Sequence, residues 1–294
     1  MGREASSGVP PVTAARSRRS FIFMPGLKPG MFPKAVSSGA DIVCIDLEDA
    51  IHPRDKASAR ERTFELLASL PESGVTEIVL RINSLASSEG LKDLGAVIDA
   101  GRCGPPSLML PKVANREQVA LVADHLDAAG LDTTLHVIIE SAEGLENAAA
   151  IAGSGSRLQS LFFGAIDYSS DIGASNTWEA MLFARSRVVQ AAALAGLDAI
   201  DVPWLDLDDM AGMKAEAEAS RATGFVGKGA IHPRQIPVIH EVFSPSPGEV
   251  EEARRIVEAF DEAATGLVVI DGKLIERPVL RAMERVLEQA RRMD

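Results

Sequence analysis

Eight short, apolar, β-branched runs recur at nearly even spacing along this chain. They are FIFMPG (21–26), DIVCIDLED (41–49), EIVLRIN (77–83), SLMLPKV (107–113), LHVIIES (135–141), SLFFGAID (160–167), DAIDVPW (198–204) and GFVGKGAIHP (224–233). Between most of them lie Ala-, Leu- and charge-rich stretches with helical spacing, such as REQVALVADHLDAAG and WEAMLFARSRVVQAAALAG. A strand that is apolar on both faces must be covered on both faces, as parallel strands flanked by helices are. Eight such units in roughly 210 residues fit a closed (β/α)8 TIM barrel, in the α/β class, better than an open sheet.

The barrel is expected over residues 20–240. Residues 1–19 are polar, Pro-containing and aperiodic, and read as a disordered tail. Residues 241–294 exceed what a barrel needs and form a C-terminal arm or lid. SPSPGEVEEARRIVEAFDEAATG reads as a capped helix ended by Gly266, LVVIDGKLIERP as a hairpin around Asp271-Gly272, and 278–292 as a last helix.

Composition narrows the partners. A net charge of −12 and a pI near 5.0 argue against nucleic acid, and no apolar run approaches the ~20 residues of a membrane span. Two cysteines, Cys44 and Cys103, make no secreted-type framework and point to a reducing cytoplasm.

The polar residues that interrupt the runs fall at their C-terminal ends, which a barrel gathers into one rim where active sites sit. Lys28 and Lys34 follow the first run; Glu48 and Asp49 end the second; Arg81 and Asn83 end the third. Lys112, Glu140 and Asp167 end the next three, and Lys228 and His232 close the eighth. Glu140 and Asp167, on neighbouring strands, suit Mg2+, which takes a few hard oxygens and keeps several waters. A metal-free carboxylate pair for acid–base work and two solvated rim acids remain open. Arg81 offers a planar, bidentate fit to a substrate carboxylate, or pairs with Glu48 or Asp49. Lys28 and Lys34 are candidate phosphate contacts. No zinc constellation, Walker loop, dinucleotide fingerprint or nucleophile elbow is present.

With these residues assembled, the chain resembles the citrate lyase β-subunit-like CoA-ester lyases of the HpcH/HpaI aldolase superfamily. The resemblance rests on nine stretches in order: RSFIFMPGLKPGMFPKA, DIVCIDLEDAIHPRDKASAR, LRINS, LPKV, IIESAEGLENAAAIA, FGAIDYSSDIG, ARSRVVQAAALAGLDAID, GFVGKGAIHPRQI and DGKLIERP. It implies that Glu140 and Asp167 bind Mg2+ and that Arg81 grips the acid's carboxylate. It also implies that Phe23, Lys28, Lys34 and the His232-Pro233 loop border the coenzyme A thioester, and that the chain forms trimers or hexamers whose arms close neighbouring sites. Two positions depart from the pattern. Glu276 in LIERP stands where family lyases carry an acid/base Asp, and Lys28 stands where close malyl-CoA lyases carry Arg. The expected activity is Mg2+-dependent cleavage or formation of a malyl-CoA- or citramalyl-CoA-like 3-hydroxyacyl-CoA, with acetyl-CoA and a 2-oxo acid as the other side of the reaction. The alternatives are the β subunit of a multi-subunit citrate lyase acting on an acyl-carrier-protein thioester, and a metal-dependent aldolase for free 2-oxo acids.

Overall fold

The computed structural model describes residues 16–71, 76–263 and 266–293. Eight parallel strands close a barrel in sequence order: β1 (Ser20–Pro25), β2 (Ile42–Asp46), β3 (Glu77–Arg81), β4 (Ser107–Leu110), β5 (Thr134–Ile139), β6 (Leu158–Phe163), β7 (Asp198–Asp201) and β8 (Gly227–Ala230). Most apolar runs thus supply a strand first and rim residues last; the sixth ends in the start of α7, and the eighth holds its strand in mid-run. The helices of this unit are α1 (Phe32–Ser37), α2 (Lys56–Ser69), α3 (Ser88–Ala100), α4 (Arg116–Ala128), α5 (Ala142–Glu146) and α6 (Ala148–Ala152). They continue with α7 (Ala165–Asp171), α8 (Trp178–Ala195), α9 (Met210–Thr223) and α10 (Ile236–Phe243).

Strand parity sorts the core into two layers. Phe21, Ile42, Cys44, Val79, Met109, Ile138, Phe162 and Ile200 form one buried cluster that fills the barrel, while Val43, Ile45, Leu80, Leu108, Val137 and Leu161 join the larger layer under the helices. Side chains alternate between the two sides of a strand, so every second residue of β2 and β5 points inward. That parity carries Asp46 and Glu140 to the mouth of the barrel.

Two sequence expectations need correction. The interrupting polar residues are not confined to the strands' C-terminal ends. At the opposite end, Glu77 accepts from Arg18 Nε (2.9 Å) and Ser107 Oγ (3.0 Å) and meets His136 Nε2 (3.1 Å), while His136 Nδ1 lies 2.7 Å from Ser160 Oγ. These groups are buried together and satisfy one another, which is what burial of polar groups requires. Lys228 is no rim residue either. It is fully buried on the helix side of β8, 3.1 Å from Asp201 and 2.7 Å from Glu216, with Arg185 completing the network. Burial pushes the Asp201 carboxyl up, but Lys228 and Arg185 outweigh it and hold it below the ordinary range.

The barrel forms one compact unit, Arg18–Phe243, and the residues from Ser244 onward belong to a second. The tail expected over 1–19 lies outside the described residues as far as 15; Arg18 and Arg19 are ion-paired to Glu77, Asp198 and Asp41. In the second unit α11 (Pro247–Glu262) packs on α12 (Arg277–Arg291). Ser246 and Glu249 close a reciprocal capping box on α11, and Ala263, rather than Gly266, is its C-cap. Between them β9 (Leu267–Ile270) pairs antiparallel with β10 (Lys273–Glu276). Asp271 and Gly272 both take positive φ, 49° and 74°, as a two-residue hairpin turn demands. Among the described residues no helix is long and apolar enough to cross a membrane.

Candidate active site

The acids at the end of β2 form a turn rather than a helix cap. Asp46 is the partner of Arg81 in the parallel register, and both side chains face the barrel mouth. Arg81 Nε and Nη2 donate to the two Asp46 oxygens at 2.7 and 2.6 Å, a fork-to-fork pair. The third nitrogen, Nη1, lies 3.1 Å from Glu48 Oε2 and 3.6 Å from Asp49 Oδ2. The guanidinium also sits over the Phe23 ring, 5.3 Å from its centroid. Arg81 therefore meets Glu48 and Asp49, as one sequence alternative held, but its firmest partner is Asp46.

Lys112 links this turn to the next acid. It follows β4 and Pro111 with a φ of 54°, a left-handed conformation that costs a non-glycine residue on the order of 1 kcal/mol or more. In that pose its backbone N–H donates to Glu140 Oε1 at 2.6 Å, while Nζ bonds Glu48 Oε1 and lies 3.4 Å from Asp49. Glu140, just beyond β5, is 4% exposed. Burial, followed by the nearby Glu48 and Asp167 charges, pushes its carboxyl up to about 8. Burial also raises Glu48 against the pull of Arg81, whereas Arg81 and Lys112 outweigh burial at Asp49 and hold it low.

Asp167 stands half-buried in the first turn of α7, just past β6, the strand paired with β5. The approach depends on Gly164. A Cβ there would lie 2.5 Å from Glu140 Cβ and 2.7 Å from its Oε2, so only glycine lets this side chain rest on the end of β6.

The structure thus brings together Glu48, Asp49, Arg81, Glu140 and Asp167, with Phe23 beneath the arginine. Lys28 and Lys34 are exposed on the β1–α1 segment of the same rim. His232 caps the turn begun by Pro233 after β8: its Nδ1 accepts from the Arg234 N–H at 3.1 Å. Glu276 belongs to the C-terminal unit, as the exposed last residue of β10 and the N-cap of α12. Asp46, Gly164 and Lys56, whose Nζ bonds the carbonyls of Leu47 and Glu48, escaped the sequence reading as site residues. Strand parity from Ile42 and Cys44 was the signal that could have found Asp46. Cys44 is an inert thiol in the barrel interior, pushed up by burial.

The residues fit a divalent cation. Glu140 is buried and crowded by two other carboxylates, Glu48 and Asp167, whose charges a cation would offset. Among the described residues no three His, Cys, Asp or Glu side chains form a closed metal cage.

Comparisons with known proteins find relatives over nearly the whole chain. The sequence model of the HpcH/HpaI aldolase/citrate lyase family matches residues 19–233, and that of the C–C bond lyases of the TIM-barrel fold matches residues 177–292. The citrate lyase subunit beta of Escherichia coli (strain K12) is 35% identical, with 94% of each chain covered. The L-malyl-CoA/beta-methylmalyl-CoA lyase of Cereibacter sphaeroides (strain ATCC 17029) is 33% identical, over 95% of this chain and 96% of that one. Among solved structures, protein CitE from Mycobacterium tuberculosis in complex with magnesium, acetoacetate and coenzyme A superposes with a TM-score of 0.76 at 29% identity, covering 93% of this chain and 98% of that one.

Proposed function

Because the chain belongs to the HpcH/HpaI aldolase/citrate lyase family, we propose that it is a carbon–carbon lyase acting on a 3-hydroxyacyl-CoA of the malyl-CoA or citramalyl-CoA kind. The observation that carries this reading is the convergence of Glu48, Glu140 and Asp167 beside an arginine already locked in place. Glu140 and Asp167 would hold Mg2+, as the magnesium in the CitE complex supports. When bound, the ion supplies a Lewis acid at the substrate's hydroxyl and carboxylate oxygens.

The chain's own groups divide the remaining work. Arg81 orients the acid's carboxylate through Nη1, which the substrate would share with Glu48, since Asp46 occupies the other two nitrogens and fixes the plane of the guanidinium. Glu48 Oε2 accepts the hydroxyl proton. The C–C bond then breaks, its electron pair moving into the thioester enolate as the hydroxyl carbon becomes the 2-oxo acid's carbonyl. Glu276, delivered by the arm of a neighbouring subunit in a trimer or hexamer, protonates the enolate to acetyl-CoA. Phe23, Lys28, Lys34 and the His232-Pro233 loop border the coenzyme A moiety, where two lysines offset the chain's negative charge next to phosphates. The same steps run backwards in the condensation direction.

The similarity to citrate lyase subunit beta supports a second reading, in which the chain works in a multi-subunit enzyme on a carrier-protein thioester. One experiment separates the two. The purified chain is offered malyl-CoA, citramalyl-CoA and a citryl thioester of an acyl carrier protein, each with Mg2+. Release of acetyl-CoA from a CoA ester by the chain alone supports the first reading. Turnover confined to the carrier thioester supports the second, and turnover of none of them contradicts both.

A further inference from the structure

Lys56, the first residue of α2, directs all three of its ammonium protons at neutral acceptors. Nζ donates to the Leu47 carbonyl at 2.8 Å, the Glu48 carbonyl at 2.6 Å and Asn83 Oδ1 at 2.6 Å. The asparagine end of this staple is immobilised in turn. The Asn83 backbone N–H and Nδ2 both donate to Asp93 Oδ2, at 2.8 and 2.6 Å, and Arg60 Nε donates to the other Asp93 oxygen. Gly90, in the first turn of α3, lies so close that a Cβ there would stand 2.2 Å from the Ser84 carbonyl. Asn83 and Asp93 are both buried.

The Glu48 peptide is gripped from the other side as well. Its N–H donates to Asp46 Oδ1 at 2.8 Å, and Ala50 N–H donates to Asp46 Oδ2 at 3.0 Å. With N–H held by Asp46 and C=O held by Lys56, only the side-chain torsions of Glu48 remain free. Lys112 takes one of its oxygens, and Arg81 Nη1 lies 3.1 Å from the other.

We propose that Lys56 is a positioning residue for the cation site: by fixing the Glu48 peptide it keeps the Glu48 carboxylate on Lys112, whose backbone N–H holds Glu140, and thereby sets the affinity for a divalent cation. The inference rests on reading Glu140 and Asp167 as a Mg2+ site. Its sign is diagnostic. Removing a neighbouring positive charge would by itself tighten cation binding, whereas loss of positioning weakens it.

The test is calorimetric titration of Mg2+ into substrate-free wild type and Lys56→Met, with circular dichroism confirming the fold. The expected result is a Kd raised about tenfold or more, the usual cost of removing a group that holds a metal ligand. In a Glu48→Gln background the same substitution should cost nothing further, because it acts through Glu48. If Lys56→Met fails to fold, Asn83→Ala, which removes one of the acceptors, gives the same comparison. A normal or tighter Kd in the variant overturns the inference, as does an equal loss in the Glu48→Gln background. Wild type that binds no Mg2+ overturns the cation-site reading, and this inference with it.

Discussion

Arg81 is the residue on which the site turns, because it is held before any substrate arrives. Asp46, 1% exposed, takes two of its nitrogens, so a substitution there affects both the site and a buried charge. Lys cannot reproduce the fork. Losing one charge-assisted hydrogen bond of about 1.5–3 kcal/mol should raise KM for the acyl-CoA by roughly ten- to a hundredfold in Arg81→Lys. The thermal midpoint should also fall, since Asp46 loses part of its pairing; steady-state kinetics and a melting curve check both. Unchanged KM would detach Arg81 from substrate. The sequence made Arg81, Glu140 and Asp167 legible because each ends an apolar run. It did not reveal which acid neutralises the arginine, since that depends on strand register. Lys56 was invisible for a similar reason: a lysine opening a charged helix reads as solvated, and only the folded turn brings three acceptors to it.

Elements fix these residues through close packing and through the polar network at the far end of the barrel. Gly164 follows β6 where Glu140 lies against it, so Gly164→Ala should displace the carboxylate and lower kcat at least tenfold with the fold retained, checked by activity and circular dichroism. At the other end, burial alone would raise the Glu77 carboxyl, but hydrogen bonding and charge from His136, then Arg18, bring it down to about 2. A lowered carboxyl stabilises the fold above its unfolded value and loses that contribution as pH falls towards its folded value. The difference corresponds to about 3 kcal/mol, present above about pH 4.5 and lost between there and about pH 2. Glu77→Gln should therefore be destabilised near neutrality and show a flatter acid limb in denaturant titrations over that interval; a limb as steep as wild type would contradict the assignment. The eight strands were legible because β-branched runs announce them. The inward His136 and outward Lys228 were not, because both sit inside strands and are satisfied by partners distant in sequence, Glu77 at one and Glu216 beside Asp201 at the other.

At the scale of the whole molecule the chain consists of two compact units, and the proposed reaction asks for groups from both. A barrel, a hairpin and a last helix could be read from periodicity and the Asp271-Gly272 turn, whereas the proposed docking of the arm on another copy of the chain leaves no mark in its periodicity. If Glu276 acts on a neighbouring subunit, mixing inactive Glu140→Ala with inactive Glu276→Ala under subunit exchange restores partial activity, because some interfaces pair an intact rim with an intact arm. A mixture that forms hybrids yet stays inactive assigns Glu276 to its own subunit or to no catalytic role. The central claim, a cation-dependent lyase built on the Glu140–Asp167 rim, is tested most directly by following acetyl-CoA released from malyl-CoA and citramalyl-CoA as Mg2+ is titrated into chelator-treated enzyme. The account predicts saturable, Mg2+-dependent release by wild type and none by folded Glu140→Ala or Asp167→Ala. Release that persists without a divalent cation, or in either variant, would contradict it.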